Sequence, residues 1–385
     1  MGIEINNLVC YTHKKQGGSF MSQKPYVKAV DFHTHSNFSD GKYSVDQLIE
    51  HAKRKRVGFF SVTDHDTFEG VIDYLDRKEL DKSLAKHFID GVNFVPGVEV
   101  TCRVSDVPNK KKKPTKIHVL LYAPDLSTYN QLQRLIKAKH LNDVAYDYGD
   151  FMNLASARRL TLRESEVKEY MDKLRSKPEF GGVNKQDLWE FFDEYFPTGY
   201  KNYDDVCAEL KKYDKINRMN LEARDLIAIA KECGAIPILA HPHINAITSK
   251  KPVDLIDSLI TAGIEGFEIN CGTTKGTSTE SEIIKRCKER HILDEMLFTG
   301  GSDFHREGDG TCIGMISDDM PISEKDQTGF IKKICEVNRC RKQGEIENKI
   351  YTTSKQAELE PIVQKYEEIE KQNRIMKEKY PIFER

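Results

Sequence analysis

The segment Lys28-Ala29-Val30-Asp31-Phe32-His33-Thr34-His35 joins a short apolar run to two histidines that stand two residues apart. On a strand, residues two apart point to the same side, so His33 and His35 can hold one metal ion together. A single pair of this spacing occurs by chance in many proteins and is a weak signal. The rest of the chain decides whether the pair belongs to a site.

Six further polar stretches follow strand-like runs in the same way. They combine neutral imidazoles with carboxylates, which are the ligands that borderline and hard divalent ions prefer. The stretches are Ser39-Asp40-Gly41, Thr63-Asp64-His65-Asp66, Gly97-Val98-Glu99, Ile117-His118-Val119, Ala240-His241-Pro242-His243 and Gly301-Ser302-Asp303-Phe304-His305. With the first pair they include seven of the twelve histidines. The series therefore predicts a polynuclear metal site in a metal-dependent hydrolase.

The composition is that of an ordinary globular protein. The 385 residues are 38% hydrophobic and 31% charged, with a net charge of −2, so no global field attracts nucleic acid or anionic membrane. No apolar run approaches the ~20 residues that span a bilayer, and the N-terminal residues lack the apolar core of a signal peptide. Nine dispersed cysteines without a CxxC pair indicate reduced thiols. We expect a cytoplasmic protein.

Apolar runs alternate with helical patterns over most of the chain. The runs at 28–32, 57–63, 93–100, 116–123, 236–240, 266–270 and 296–300 read as strands. Ser44 opens the first helix, with Gln47 as its capping-box partner. Repeated strand–helix units predict an α/β protein with a parallel sheet or barrel, where active sites lie at the carboxyl ends of the strands. Nearly every candidate ligand falls at such an end.

The strand–helix alternation falls into two parts of the predicted barrel, 28–125 and 216–344. Three regions lie outside it. Residues 1–27 are polar and predict an N-terminal arm. Residues 126–215 are rich in charge with helical apolar spacing, and predict a helical insertion over the site whose own core includes Trp189. Residues 345–385 carry apolar residues three and four apart. They predict a C-terminal helix packed on the domain, or a contact with a second copy (a homodimer) or another protein.

The order of the motifs resembles that of the PHP superfamily, named for polymerase and histidinol phosphatase. HxH, SDG, TDHD, GxE, a single histidine, AHP and SDFH follow one another as in that superfamily. The part from SDG to GVE is similar to stand-alone metal-dependent phosphoesterases that act on nucleotides and RNA ends. The resemblance covers roughly 28–123 and 220–315. It implies a distorted (β/α)7 barrel, here with a helical insertion and a C-terminal helix.

Carried over motif by motif, the resemblance implies two to three divalent ions. The first would be held by His33, His35, Glu99 and Asp303, the second, bridged by Glu99, by His118 and His241, and the third by Asp40, His65 and His305. Histidine with carboxylate suits Mn²⁺, Zn²⁺ or Fe²⁺, and Mn²⁺ is the ion we favour. Asp64 and Asp66 are expected to orient ligands or to cap the next helix.

Such a site favours hydrolysis of phosphoesters. Clustered ions lower the pKa of bound water and neutralise a phosphoryl group, so a hydroxide that bridges the ions of Glu99 is the expected nucleophile. Catalytic roles then fall to Glu99, Asp303, His305 and His241, the two histidines as candidates to pass a proton to the leaving oxygen. The predicted substrates are nucleotides or short oligonucleotides, and 5′-to-3′ exonuclease action is one form of this activity.

Two other functions stay open at this point. One is a small-metabolite phosphatase of the histidinol-phosphate type, for which a compact pocket without further basic groups is expected. The other is a non-catalytic, metal-stabilised module in an assembly, against which the complete ligand set argues.

Candidates for substrate contacts come from charge and position alone. They are Lys201, Arg158 and Arg159 in the insertion, where the arginine motif of nucleotide-directed relatives is not found, and His243, which stands where the superfamily usually has glycine. Lys110 to Lys113 form a basic loop between Glu99 and His118. This loop is either solvated surface or a contact to distal phosphates or a nucleic-acid backbone.

Overall fold

The computed structural model describes residues 29–175, 185–212, 219–243, 252–271, 278–308, 310–317, 320–343 and 353–378. The predicted arm, 1–27, lies outside these residues. Within them, the main sheet contains β1 (Ala29–Asp31), β2 (Val57–Val62), β3 (His87–Ile89), β4 (Val92–Pro108), β5 (Pro114–Tyr122), β6 (Ile236–Leu239), β7 (Gly266–Cys271) and β8 (Leu297–Gly301). A separate hairpin pairs β9 (Met315–Ser317) with β10 (Met320–Pro321).

The sheet runs in the order β1-β2-β4-β5-β6-β7-β8, with β3 paired antiparallel to the first residues of β4. Neighbours along this path are parallel except at β5, which is antiparallel to both β4 and β6. The connection between β4 and β5 is a short turn, and a parallel pair would need a crossover of a dozen or more residues. The parallel pairing expected from the strand–helix alternation therefore holds for the other neighbours on this path, and β5, like β3 beside β4, runs antiparallel.

The first and last strands of this path approach each other at the site. Phe32 N donates to Gly300 O at 3.1 Å, and Asp303 N donates to His33 O at 2.9 Å. In the interior next to β1, aromatic rings pack against one another: Phe32 lies edge-on to Phe330, with ring centroids 4.8 Å apart. The predicted α/β architecture is confirmed. The candidate ligands follow directly after β1 and β8 in the chain.

Helices surround the sheet, and the predicted capping box of Ser44 and Gln47 is present at the start of the first one. The helices are α1 (Val45–Arg54), α2 (Glu69–Arg77), α3 (Gln131–Ala157), α4 (Glu164–Arg175), α5 (Lys185–Tyr195), α6 (Tyr203–Leu210), α7 (Ala223–Glu232), α8 (Pro252–Ala262), α9 (Ser278–Glu289), α10 (Thr328–Lys342) and α11 (Thr353–Glu378). None of those described is long and apolar enough to cross a membrane.

The helices α3 to α6 follow one another between β5 and α7, in the region predicted as an insertion. They share an apolar cluster distinct from that of the barrel, built around Phe151, Tyr170, Phe191 and Phe192. Trp189 packs partly buried against this cluster. The apolar residues from Phe151 onward thus serve a local core, whereas the start of the region, with Leu132 and Leu135, packs into the core of the barrel. The domain boundaries themselves stay a prediction.

The C-terminal helix α11 packs along α3. Arg134 on α3 forms a fork of hydrogen bonds to Glu367 at 2.8 and 2.6 Å and a further one to Glu360 at 2.9 Å. Tyr366 is fully buried, and its hydroxyl donates to Asp225 at 2.8 Å. The predicted C-terminal helix on the domain is confirmed. A contact of this helix with a second copy or a partner protein stays a prediction.

Candidate metal centre

The structure brings the nine predicted ligands together at one end of the barrel. Four strands deliver them as they end: β1 leads to His33 and His35, β2 to His65, β6 to His241, and β8 to Asp303 and His305. Glu99 and His118 lie within β4 and β5, and Asp40 lies in the loop after β1. A β-bridge between His65 and Glu99 joins two of these segments directly.

Glu99 lies at the centre of the cluster, with its side chain only 1% exposed. One carboxylate oxygen, Oε1, is 2.9 Å from Nδ1 of His118 and 2.8 Å from Nε2 of His241. The other, Oε2, faces three more imidazoles: His65 at 3.0 Å, His33 at 3.4 Å and His35 at 3.5 Å. The two oxygens of Glu99 therefore point into two groups of histidines, as a carboxylate that bridges two ions must.

Asp303 completes the group on the Oε2 side. Its Oδ1 is 3.2 Å from Nε2 of His35 and 3.4 Å from Nε2 of His33. The donor atoms of His33, His35 and Glu99 also lie within 4.8 Å of one another. The residues predicted for the first ion are thus placed around one point.

A further group gathers around Asp40. Its carboxylate is 3.3 Å from His305 Nε2, 3.6 Å from His65 Nε2 and 3.7 Å from His35 Nδ1. The resemblance assigned Asp40, His65 and His305 to a third ion. In the structure His35 lies between this group and the first, and His65 lies between it and Glu99. His35 and His65 therefore each lie within reach of two of the predicted ion positions.

Buried donor atoms in this cluster fit divalent metal ions. Several lack a hydrogen bond of good geometry, among them both ring nitrogens of His35, Nε2 of His33, Oδ1 of Asp40 and Oε2 of Glu99. An unpaired buried polar atom costs about 1–3 kcal/mol. Ligation would satisfy these atoms, and the mixed imidazole and carboxylate set suits borderline ions.

The comparison with protein families identifies the chain. The PHP domain model matches residues 31–224, which is half of the chain and includes six of the nine ligands. The chain belongs to the PHP family. The sequence-based identification is confirmed, and with it the PHP type of α/β fold.

Two curated relatives align with most of this PHP chain. The phosphoribosyl 1,2-cyclic phosphate 1,2-diphosphodiesterase of Eggerthella lenta is 26% identical over 297 residues, which is 71% of this chain and 93% of that protein. The 5′-3′ exoribonuclease of Haemophilus influenzae is 25% identical over 314 residues, 78% of this chain and 99% of that protein. Each alignment spans more than two-thirds of both proteins.

One solved structure supports the fold. A chain from Bifidobacterium adolescentis, described as a metal-dependent phosphoesterase, superimposes with a TM-score of 0.51 at 18% identity. The match covers 81% of the PHP chain and 97% of that chain. At this identity the likeness concerns the architecture alone.

A carboxylate that the sequence reasoning missed stands behind the ligands. Glu268 on β7 is 1% exposed, and its Oε1 lies 3.0 Å from Nδ1 of His33. Its Oε2 accepts the backbone N–H of His241 at 2.8 Å. When Nδ1–H of His33 donates to Glu268, Nε2 is left as the ligand atom, which is how metal-bound histidines are usually oriented. The signal for Glu268 was a charged residue inside an otherwise apolar strand.

Two further carboxylates brace the ligand loops. Asp31 accepts hydrogen bonds from the backbone of Ser302 and Gly314 at 2.9 and 2.7 Å, which ties the loop of Asp303 to β1. Asp64 accepts from Ser36 N at 2.7 Å and from the hydroxyl of Ser39 at 2.6 Å. Asp64 therefore orients the loop of Asp40, one of the two roles proposed for it.

Asp66 joins the metal centre to the insertion. Its backbone N–H donates to Glu99 O at 2.8 Å, and its side chain accepts from Thr101 N at 2.9 Å. Lys139 on α3 places its ammonium 3.2 Å from the same carboxylate and also pairs with Asp143. Lys139 is only 1% exposed, which is rare for lysine and depends on these pairs. Asp66 orients a ligand strand and caps no helix.

Close backbone packing fixes the loops in place. A Cβ on Gly301 would lie 2.2 Å from Cβ of His33, and one on Gly41 would lie 2.0 Å from the carbonyl oxygen of His35. Both contacts are far shorter than any side chain tolerates. The glycines beside the ligand motifs are therefore required for β8 and the Asp40 loop to reach the site.

The carboxylates of the centre stay ionised. Burial alone would raise the pKa of Glu99, but His118, His65 and His33 outweigh it and hold that pKa well below its usual range. For Asp303, burial is outweighed in the same way, first by His33, and its pKa is lowered far below normal. Anionic oxygens are thus ready to bind cations.

The histidines differ in protonation when no ion is bound. Burial, then the neighbouring His305 and His65, lowers the pKa of His35 to about 3, so His35 is neutral. Burial would also lower the pKa of His65, but Asp40 and Glu99 raise it to about 10. A metal ion that binds His65 must therefore displace a proton.

The predicted substrate contacts in the insertion are placed as follows. Arg158 pairs with Asp205 at 2.9 Å and lies 4.7 Å over the ring of Tyr200. Lys201 and Arg159 are exposed. The described contacts of these three cations do not include the metal ligands, so their role in substrate binding stays a prediction.

The other two candidates lie on the barrel side. His243 is partly buried, with its ring 6.4 Å from that of His241, and burial followed by His241 lowers its pKa. The loop of Lys110 to Lys113 forms the exposed tip of the β4–β5 hairpin. Near the tip, Asp106 accepts a hydrogen bond from Ser258 on α8 at 3.0 Å, so the hairpin contacts a helix that carries no candidate ligand. This position favours a solvated loop.

Proposed function

We propose that this PHP chain is a metal-dependent phosphoesterase that hydrolyses phosphate esters of nucleotides or short oligonucleotides. At the coarser level, a hydrolase that acts on phosphoester bonds, the prediction is confirmed by the family and by the two curated relatives. The nucleotide class is supported by the exoribonuclease relative.

The placement of Glu99 is the observation that carries the proposal. A buried carboxylate whose two oxygens point into two different groups of histidines suits two divalent ions. In an apolar core such a buried charge would only destabilise the fold. Divalent ions held there lower the pKa of a water molecule and neutralise the charge that spreads over a phosphoryl group. We favour Mn²⁺, with Zn²⁺ and Fe²⁺ as the alternatives.

The chain's own residues prepare the reaction. Glu99 and Asp303 remain anionic, and Glu268 fixes the ring of His33 with Nε2 toward them. Of the two histidines proposed to pass a proton to the leaving oxygen, His305 is 22% exposed in its side chain and His241 only 7%. His305 is the one that a leaving group can reach. The carbonyl of Asp303 holds its Nδ1 at 2.8 Å, so Nε2 would pass the proton when that nitrogen is not bound to an ion.

A product-release screen tests the proposal. The protein loaded with Mn²⁺ is offered a 5′-phosphorylated oligoribonucleotide, mononucleotides, phosphoribosyl cyclic phosphate and histidinol phosphate, with Asp303→Asn as the matched inactive control. We expect turnover of the oligonucleotide or the mononucleotides that the control lacks. Turnover of histidinol phosphate alone would move the assignment to a small-metabolite phosphatase. A metal-loaded protein without activity on any phosphoester would support the non-catalytic module.

A further inference from the structure

An aromatic ring lies exposed beside the metal centre. Phe38 is 38% exposed and stands two residues before the ligand Asp40. The other large apolar residues exposed in the described part of the chain, which lie on other segments, are Phe88, Tyr129 and Tyr203. Phe38 is thus the exposed ring within the ligand loop itself.

The loop holds this ring in a fixed place. The backbone N–H of Phe38 donates to the hydroxyl of Ser36 at 3.2 Å, and that hydroxyl donates to Asp64 at 2.6 Å. On its inner edge the ring packs against Gly70, at the start of α2. A Cβ built on Gly70 would lie 2.9 Å from the ring and 3.0 Å from the carboxylate of Asp64. One edge of the ring is therefore anchored next to the residue that braces the ligand loop.

Two cations contact the backbone on either side of Phe38. Lys168, on α4 of the insertion, donates to Asn37 O at 3.2 Å, and Arg306, which directly follows the ligand His305, donates to Asp40 O at 3.3 Å. Phe38 lies between these two contacts in the chain. A flat apolar ring between cations matches a chain of alternating bases and phosphates.

We propose that Phe38 is a stacking platform for a nucleobase adjoining the scissile phosphate, and that it makes the substrate a base-bearing nucleotide or oligonucleotide. This inference rests on the proposed function and specifies its substrate class. Stacking on an aromatic ring tolerates any base sequence, because every base has a flat π face. A sugar phosphate without a base gains nothing from Phe38.

Paired substrates test this proposal. One is a 5′-phosphorylated oligoribonucleotide, and the other has the same length and phosphates but abasic nucleotides at its 5′ end. Steady-state kinetics would compare the wild type with Phe38→Ala, Phe38→Leu and Phe38→Trp. The variant Phe38→Leu retains an apolar contact with Gly70 but lacks the flat ring. The control Phe88→Ala removes a ring that is 72% exposed on β3, which carries no ligand.

We expect Phe38→Ala and Phe38→Leu to raise KM for the intact substrate about tenfold, with kcat within about twofold, since a stacked base contributes on this scale. Phe38→Trp and Phe88→Ala should match the wild type, and the abasic substrate should not distinguish the variants. Equal effects on both substrates, or none on either, would overturn the stacking role. A wild type that cleaves only base-free phosphoesters would instead contradict the nucleotide class itself.

Discussion

The metal centre and the helical insertion are stabilised in different ways. The ligands sit in the barrel, and buried carboxylates such as Asp31, Asp64 and Glu268 hold their loops from behind. The insertion has its own apolar cluster and meets the site through two cations, Lys139 and Lys168. The candidate ligands are therefore held by the barrel's own buried carboxylates, whereas the insertion contributes cations that contact the surroundings of these ligands.

Cutting the buried link between the two regions should have the largest effect. In Lys139→Met the carboxylates of Asp66 and Asp143 lose their buried cation, and breaking such a pair costs about 3–5 kcal/mol. We expect a loss of that size in the free energy of unfolding, measured in urea. The matched control is Lys173→Met, whose pair with Glu194 is largely exposed and should contribute below about 1 kcal/mol. Equal stability of the two variants would refute the link.

The second largest effect is expected from removing the carboxylate that orients the candidate ligand His33. Glu268→Gln retains the shape of the side chain but removes the charge that orients His33, and changes of this kind lower metal affinity about 10–100-fold. Isothermal titration with Mn²⁺ measures the affinity. The control is Glu265→Gln. Glu265 lies three residues earlier in the sequence, directly before β7, with its carboxylate 3.7 Å from the ammonium of Lys231, and the variant should bind Mn²⁺ as the wild type does. Unchanged affinity in Glu268→Gln would contradict the positioning role.

The protonation of the site predicts how its stability depends on pH. Because the pKa of His65 is raised to about 10, its contribution to stability is present below its unfolded value near 6.5 and is lost as pH rises toward 10. A metal ion competes with that proton, so metal binding strengthens with pH. The rise in Tm on adding Mn²⁺ should therefore grow between about pH 6 and pH 8. A rise that shrinks over this range would contradict the assignment of His65 as a ligand.

The smallest effect is expected inside the insertion. Arg158 pairs with Asp205 with both side chains about one-third exposed, and such pairs contribute about 0–1 kcal/mol. Arg158→Ala should lower the free energy of unfolding by no more than that and leave kcat/KM within about twofold. A KM raised severalfold would instead support the prediction that Arg158 contacts the substrate.

The candidate ligands could be recognised in the sequence because all of them except Asp40 follow or interrupt an apolar strand. His118 shows the rule: a histidine inside Ile117–Val119 is ambiguous alone and gains meaning from the other motifs. Glu268 follows the same rule and was visible in principle, since it too interrupts a strand. The reversed direction of β5 follows from the short turn before it, and the alternation of apolar and polar residues does not reveal the direction of a strand.

Lys139 and Phe38 could not be predicted in the same way. Lys139 sits in a helix full of charges, and only its burial beside Asp66, seventy-three residues away in the chain, sets it apart. Phe38 reads as an apolar residue in a polar loop, and its significance comes from the exposure of its ring next to Asp40. Both depend on tertiary contacts between the site and elements distant in sequence.

The most direct test is the metal content of Glu99→Gln compared with the wild type, measured after reconstitution with Mn²⁺ together with phosphoester turnover. If Glu99 joins two metal positions, the variant will retain at least one ion fewer than the wild type and lose turnover by a factor of about 10³. A variant with the same metal content and the same turnover would contradict the central role of Glu99.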